Sequence, residues 1–405
     1  MATIIEFVRC VLLSVVIAFV LLSVLIARTL SHGFVEGRRN IEVKDRELVR
    51  HKAAVKSIES EDGDVIDCVD IYKQPAFDHP LLKNHKIQMK PSLYPIGMKA
   101  FNYTVEIIQP WHESGQCPRG TIPIKRTRKC VFPRAAPLSS QEIKIGRNTT
   151  EITAGVHEYA ALYVEGKKYY GAQASINLRN PKVEQDYEMT LSQIWVIGGR
   201  SETLNTAEAG LMVYPHIYGD SQTRLFLYWT SDNYVSTGCY NLDCPGFVQT
   251  NGDFAMGSII RPVSNYGVQQ LALSFTIFKD KRSGNWWLLV QGKLLGYWPS
   301  SIYTTLAGGA SAVSWGGEIF NTKSQGHHTS TQMGSGHFPH EGYWKSSYFR
   351  NLGVVDASDT IRDPVDLVPI ISNTLCYDLQ IQENKNTDYG YYFYYGGPGY
   401  SQQCP

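Results

Sequence analysis

Two glutamates stand among small residues. Glu208 lies in Ala207-Glu208-Ala209-Gly210, and Glu318 closes Trp315-Gly316-Gly317-Glu318. Small neighbours let backbone and substrate approach a side chain closely. Two carboxyls held near one another do not both ionise easily, so one keeps its proton. The ionised one can activate water as a base. The protonated one can donate a hydrogen bond to a developing oxyanion or to a leaving group. Only a fold can bring the two together, and on spacing alone the plainer reading is two solvated glutamates.

Other candidates are weaker. His327, His328 and His337 lie close in sequence, which fits a metal site, but Ser, Thr, Gln and Gly around them fit a polar loop better. Ser330, Ser335 and Asp356 offer the types for a triad with a histidine, yet no context marks a nucleophile. There is no Gly-x-Ser-x-Gly, no His-Glu-x-x-His, no phosphate loop and no Cys-x-x-Cys pair. The tail Tyr389-Gly-Tyr-Tyr-Phe-Tyr-Tyr-Gly-Gly-Pro398 is read as a final strand packing its rings on the core rather than as a sugar platform.

Strands must position these groups. Glu158–Val164, Tyr169–Leu178, Met189–Ile197, Thr223–Trp229, Gln270–Lys279 and Tyr348–Val355 are rich in Val, Ile, Tyr, Thr and Trp and are bounded by turn residues. Asp280–Asn285 reads as a hairpin loop. The stretch 155–405 is therefore expected to be all-β, an antiparallel sandwich or jelly roll. Before it, Ile41, Leu48, Val55 and Ile58 recur at helical spacing and predict one amphipathic helix across 33–61. A small loop-rich α+β domain extends from there to residue 133. The basic cluster Lys125, Arg126, Arg128 and Lys129 and a linker over 134–154 mark the expected boundary and processing site.

At the N-terminus, Arg9 precedes an apolar run, and residues 1–31 read as a secretory signal peptide, or as a signal anchor if left uncleaved. Seven cysteines remain beyond Cys10. Cys239 and Cys244 enclose a short loop that favours a local bridge, Cys376 and Cys404 would tie down the tail, and Cys68 pairs with Cys117 or Cys130. Asn102 and Asn148 head glycosylation sequons. The net charge of +1 leaves no electrostatic footprint for nucleic acid and no polybasic membrane patch.

Several longer stretches resemble a known family. Asp64-Val-Ile-Asp-Cys68 through Asn84-His85 and Cys117-Pro-Arg-Gly-Thr-Ile-Pro-Ile124 resemble the activation peptide of plant neprosins. Leu191-Ser-Gln-Ile-Trp195, Tyr228-Trp-Thr-Ser-Asp232, Thr237–Asn241, Gly296-Tyr-Trp-Pro299, Thr331–Phe338 and Tyr394-Tyr-Gly-Gly-Pro398 resemble the catalytic part. The resemblance implies a secreted glutamic endopeptidase zymogen, activated in acid and cleaving after proline, with no cofactor or metal. Its partners would be a peptide or protein substrate and its own activation segment as inhibitor (32–133), released from a β-sandwich catalytic domain (155–405). Glu208 and Glu318 match the family's catalytic pair. Trp229, Trp315 and Gln332 are the candidate substrate contacts. The family's disulfides fall on Cys68–Cys117, Cys239–Cys244 and Cys376–Cys404, which leaves Cys130 over. One departure stands beside the first glutamate. Leu211 follows Gly210 where family members carry Trp, a change expected to reshape the cleft. Two other classes also fit aromatic-rich β-proteins: a two-carboxylate glycoside hydrolase acting on wall polysaccharide, and a non-catalytic wall-binding protein.

Overall fold

The computed structural model describes residues 53–98, 108–127, 155–323, 327–382 and 389–405. The apolar segment 1–31, most of the expected helix, Asn102, Cys130 and the linker 134–154 with Asn148 lie outside the described residues.

Runs of β-branched and aromatic residues, cut by turn residues, become strands. Strands β1 (Ala54–Glu59), β2 (Val65–Asp70) and β3 (Thr121–Lys125) form a small antiparallel sheet. Next come β4 (Val156–Tyr169), β5 (Gly171–Asn177), β6 (Met189–Gly198), β7 (Asn205–Val213) and β8 (Arg224–Thr230). After these stand β9 (Val248–Gln249), β10 (Ala272–Lys279), β11 (Trp286–Val290), β12 (Lys293–Trp298) and β13 (Ala310–Asn321). The last are β14 (Ser347–Val355), β15 (Ile361–Arg362), β16 (Val368–Ile371), β17 (Asp378–Ile381) and β18 (Phe393–Gly396). They divide into a six-stranded sheet, β16-β4-β13-β6-β7-β8, and a nine-stranded one, β17-β18-β14-β5-β10-β11-β12-β9 with β15 on β14. All named pairings are antiparallel. The expected hairpin at Asp280–Asn285 joins β10 to β11.

The sheets share a core because alternate residues face inward. Ala172, Ala174 and Ile176 of β5, Phe275 and Ile277 of β10, and Val313, Trp315 and Ile319 of β13 lie in one buried cluster. The tail behaves the same way: Phe393 and Tyr395 turn inward and are fully buried, while Tyr394 pairs with Tyr348 across the sheet. Disulfides join Cys68 to Cys117, Cys239 to Cys244 and Cys376 to Cys404, with Cα separations of 5.4, 5.9 and 5.2 Å.

One expectation fails. Val55 and Ile58 lie on a strand, β1, not on a helix. Ile58 pairs with Ile66 and is buried, while Val55 is exposed. Partner strand β2, held by Cys68–Cys117, supplies the ladder that helical spacing alone could not reveal.

The N-terminal segment clasps the sandwich. Val69, Ile71, Ile122 and Ile124 enter the inter-sheet cluster alongside Phe254 and Met256, and Ile124 bridges to Met256. Further along, Ala76, Phe77, Ile87 and Met98 cover Phe278, Trp287, Tyr297 and Val355. Those four alternate with inward residues of β10, β11, β12 and β14, so they belong to the outer face of the nine-stranded sheet. Amides stitch the contact. Gln74 and Gln249 exchange two bonds, as do Gln109 and Ala255. At the edge formed by β8, buried Arg224 donates to both oxygens of Asp64 (3.1 and 2.8 Å), and Lys125 adds a contact to the same carboxylate.

Candidate active site

Register puts the two glutamates on one face. β6 lies between β13 and β7. Glu318 pairs with Leu191 and Glu208 with Trp195, and residues four apart on a strand point the same way. Since Trp315 and Ile319 are inward, Glu318 faces outward. Both glutamates therefore occupy the outer face of the six-stranded sheet, among a second buried cluster that includes Tyr159, Leu191, Trp195, Tyr228 and Tyr240.

Between them lies Gln193, and the residues paired with it on both sides are glycines, Gly210 and Gly316. A Cβ on Gly210 would meet Ser192 O at 2.1 Å, and one on Gly316 would meet Ala161 Cα at 2.4 Å. Neither position can carry a side chain, so the face is bare on either side of Gln193. The glycines stand two residues after Glu208 and two before Glu318, which gives the small-residue motifs a positional meaning.

The two carboxyls have different surroundings. Glu208 Oε1 accepts from Thr206 Oγ1 (2.6 Å) and Tyr234 Oη (2.7 Å), and Oε2 from Gln193 Nε2 (3.0 Å). Burial raises its pKa to about 7. Its hydrogen bonds pull it back in part, and the charge of Glu318 adds to the rise. Gln193 Oε1 is buried without a partner. If the amide turns over, this oxygen accepts from protonated Glu208, so Gln193 suits either state of the acid. Glu318 Oε1 instead sits 2.6 Å from His157 Nδ1 and accepts from Tyr159 Oη at 3.3 Å. Burial first, then the glutamate charges, hold the Tyr159 and Tyr234 phenols well above their ordinary range, so both stay donors.

Other expected site residues fall elsewhere. Trp229 and Trp315 alternate with outward Tyr228 and Ser314 and lie in the inter-sheet core. Trp229 packs edge-on against Tyr303, and Trp315 Nε1 donates to Gln173 O. Neither reaches the carboxylate face, and the indole that does is Trp195. Gln332 pins a loop, with its backbone N donating to Lys182 O and its Oε1 accepting from Lys182 N. Leu211 also points into the inter-sheet core, and Met212 is its neighbour on the glutamate face.

The histidines do not converge on a metal. His328 bonds Glu158 and His337 bonds Glu341. The sulfurs nearest His328 belong to the Cys376–Cys404 disulfide. Ser330 bonds Glu184, and Asp356 bonds Ser358 and Arg362.

Sequence reasoning missed His157, Gln193, Thr206 and Tyr234. For Gln193 a signal existed: it shares the parity of Leu191, Trp195 and Ile197, and an amide on an apolar face demands a partner.

No described residue from 53–127 appears among the hydrogen-bond partners of either glutamate. The described residues of this segment hold the opposite sheet and the β8 edge. Thr127 bonds Asp243 near the β8 edge, and β4 starts beside Asn321, close to Glu318.

Residues 186–398 match the family described as Neprosin, and residues 57–163 match the Neprosin activation peptide. Among solved structures, scytalido-glutamic peptidase with a peptide-based transition-state analogue is 9% identical. Its TM-score is 0.33, covering 60% of this chain and 99% of that one. SCP-B, a member of the eqolisin family of peptidases solved with a tripeptide, is 8% identical. Its TM-score is 0.31, covering 60% and 98%. Likenesses this distant carry no argument about function. The family matches support a peptidase made with an activation segment, and the chain belongs to the neprosin family.

Proposed function

We propose that the protein is the secreted zymogen of a glutamic endopeptidase that cleaves after proline in acid. The observation that carries the reading is the pair of buried glutamates on one sheet face, each with its own hydrogen-bond set, on either side of a strip bared by Gly210 and Gly316. Glu208, whose burial favours the protonated form, is assigned the acid, and Glu318, bonded to His157, the base. Glu318 takes a proton from water as its oxygen bonds the scissile carbonyl carbon. Glu208 donates a hydrogen bond to the carbonyl oxygen and keeps its proton. When the tetrahedral intermediate collapses, the C–N bond breaks and the proton held on Glu318 passes to the leaving amine.

The processing site expected between Lys125 and Gly155 separates β3 from β4 in the chain. Cleavage there would detach the activation segment from the sandwich that it clasps. Incubating the full-length protein across a pH series, then profiling cleavage sites on a denatured proteome by mass spectrometry, tests both steps. A size drop at acid pH, with subsequent cuts after proline, is expected. An active, unprocessed precursor would sink the zymogen reading, and release of sugar from polysaccharide without peptide cleavage would sink the peptidase reading.

A further inference from the structure

We infer that a specificity pocket for a bulky aromatic or branched side chain opens beside Glu208, a reading that rests on the proposed peptidase function. A cavity of about 360 Å³ lies on the glutamate face, walled by Trp195, Ile197, Leu204, Tyr234, Tyr163 and Ile370. Register fixes its place along the sheet. On β6, Leu191 is paired with Glu318, Trp195 with Glu208, and Ile197 comes next. The cavity thus sits beyond Glu208, on the side away from Glu318. A peptide whose scissile bond lies over Gln193 presents a neighbouring side chain to it.

Chemistry selects the kind of side chain. Thr206 and Tyr234 also line the cavity, but both hydroxyls are spent on Glu208 Oε1. They leave a methyl and a ring toward the space. Ile197, Leu204 and Trp195 complete an apolar, largely buried lining. Charge is confined to one exposed pair, Arg200 and Glu165, which meet each other at 2.5 Å, and Tyr163 Oη bonds the same Glu165. A charged side chain entering the interior would lose water and find no counter-ion there. Size argues equally. A cavity of about 150 Å³ holds a benzene ring, so this one has room for a side chain much larger than a pyrrolidine ring, an indole included. The pocket is therefore a second selector, read at a different substrate position from the proposed proline.

The test pairs cleavage with binding. Peptides differing only in Phe or Ala at each position flanking the scissile bond are offered to full-length protein activated in acid. Wild type is expected to favour Phe at one position by about tenfold in kcat/KM. Ile197→Trp, which fills the cavity, should bring that ratio near one while the Ala peptide is still cleaved. Ile370→Phe, on edge strand β16 and only half-buried, serves if the first variant does not fold. In parallel, ligand-observed NMR with N-acetyl-phenylalaninamide and N-acetyl-alaninamide should show the aromatic amide alone bound, and Ile197→Trp should abolish it. Cleavage with no bulky preference at any position, or a preference that both variants keep, overturns the pocket. If no peptide is cut, the peptidase reading fails and the amide decides alone: bound and displaced, the pocket stands; unbound, it falls.

Discussion

The outer faces of the two sheets are both buried, but for opposite purposes. On the nine-stranded sheet, Phe278, Trp287, Tyr297 and Val355 are covered by Ala76, Phe77, Ile87 and Met98 of the activation segment. Polar contacts at its rim join Tyr297 to His85 and Gln88, and buried Asp280 to Gln88 and Ser92. On the six-stranded sheet the aromatic lining surrounds two carboxyls, and the described activation segment contributes none of their hydrogen bonds. Apolar burial gives adhesion without direction, whereas a buried carboxyl needs each of its partners in place. One face is built to be gripped, the other to hold charge. The Asp64–Arg224 pair ties the segment to β8, the edge of the glutamate-bearing sheet.

The contrast between the faces breaks first at the glutamates. Glu318→Gln and Glu208→Gln should each lower kcat/KM on a proline peptide by about 10²–10⁴-fold, the range of a lost general acid or base. Retention of activity in either variant removes that residue from the mechanism. Next is the edge. Asp64→Asn leaves buried Arg224 with Asp220, which is partly exposed, as its remaining carboxylate partner. The precursor should lose about 2–3 kcal/mol in urea unfolding, and limited proteolysis should strip the segment earlier. Unchanged unfolding would show the pair to be incidental.

A third test uses pH. Burial raises Glu208 from the ordinary 4.5 to about 7, so the folded state binds this proton more tightly than the unfolded chain. The stability it contributes is complete below about pH 4.5 and lost as pH rises through 7. Wild type should therefore weaken by on the order of 2–3 kcal/mol between pH 4 and 8 relative to Glu208→Gln. Parallel pH profiles in calorimetry would refute the shift. The smallest effect belongs to the gripped face. Tyr297→Phe removes the hydroxyl that meets His85 Nε2 (2.7 Å) and accepts from Gln88 N (3.0 Å). A loss of about 1 kcal/mol is expected in the precursor, with kcat/KM of the activated enzyme unchanged. A fall in activity would show that the two faces are coupled.

Much of the β framework was legible in the chain. Val-, Tyr- and Trp-rich runs bounded by Gly, Asn and Pro mark β4, β5, β6, β8, β10 and β14. The helical spacing of Val55 and Ile58 misled, because β1 exists only through its ladder to β2. The family resemblance, not the spacing, singled out Glu208 and Glu318, and the structure adds that no side chain fits at Gly210 or Gly316.

What the chain could not declare is which face each residue takes. In many soluble sheets polar residues mark the outside, but β5, β7, β8 and β11 are buried at every position. With both faces apolar, Trp229, Trp315 and Trp195 look alike in sequence, and only register separates the core pair from the one beside Glu208. The same holds for Leu211 and Met212. Residue type and local spacing determined the strands, and the resemblance of longer stretches to a family singled out the two acids. Pairing across β13, β6 and β7 decided that two distant glutamates share a face with Gln193 between them, because a strand's side chains acquire a common direction only from their neighbours.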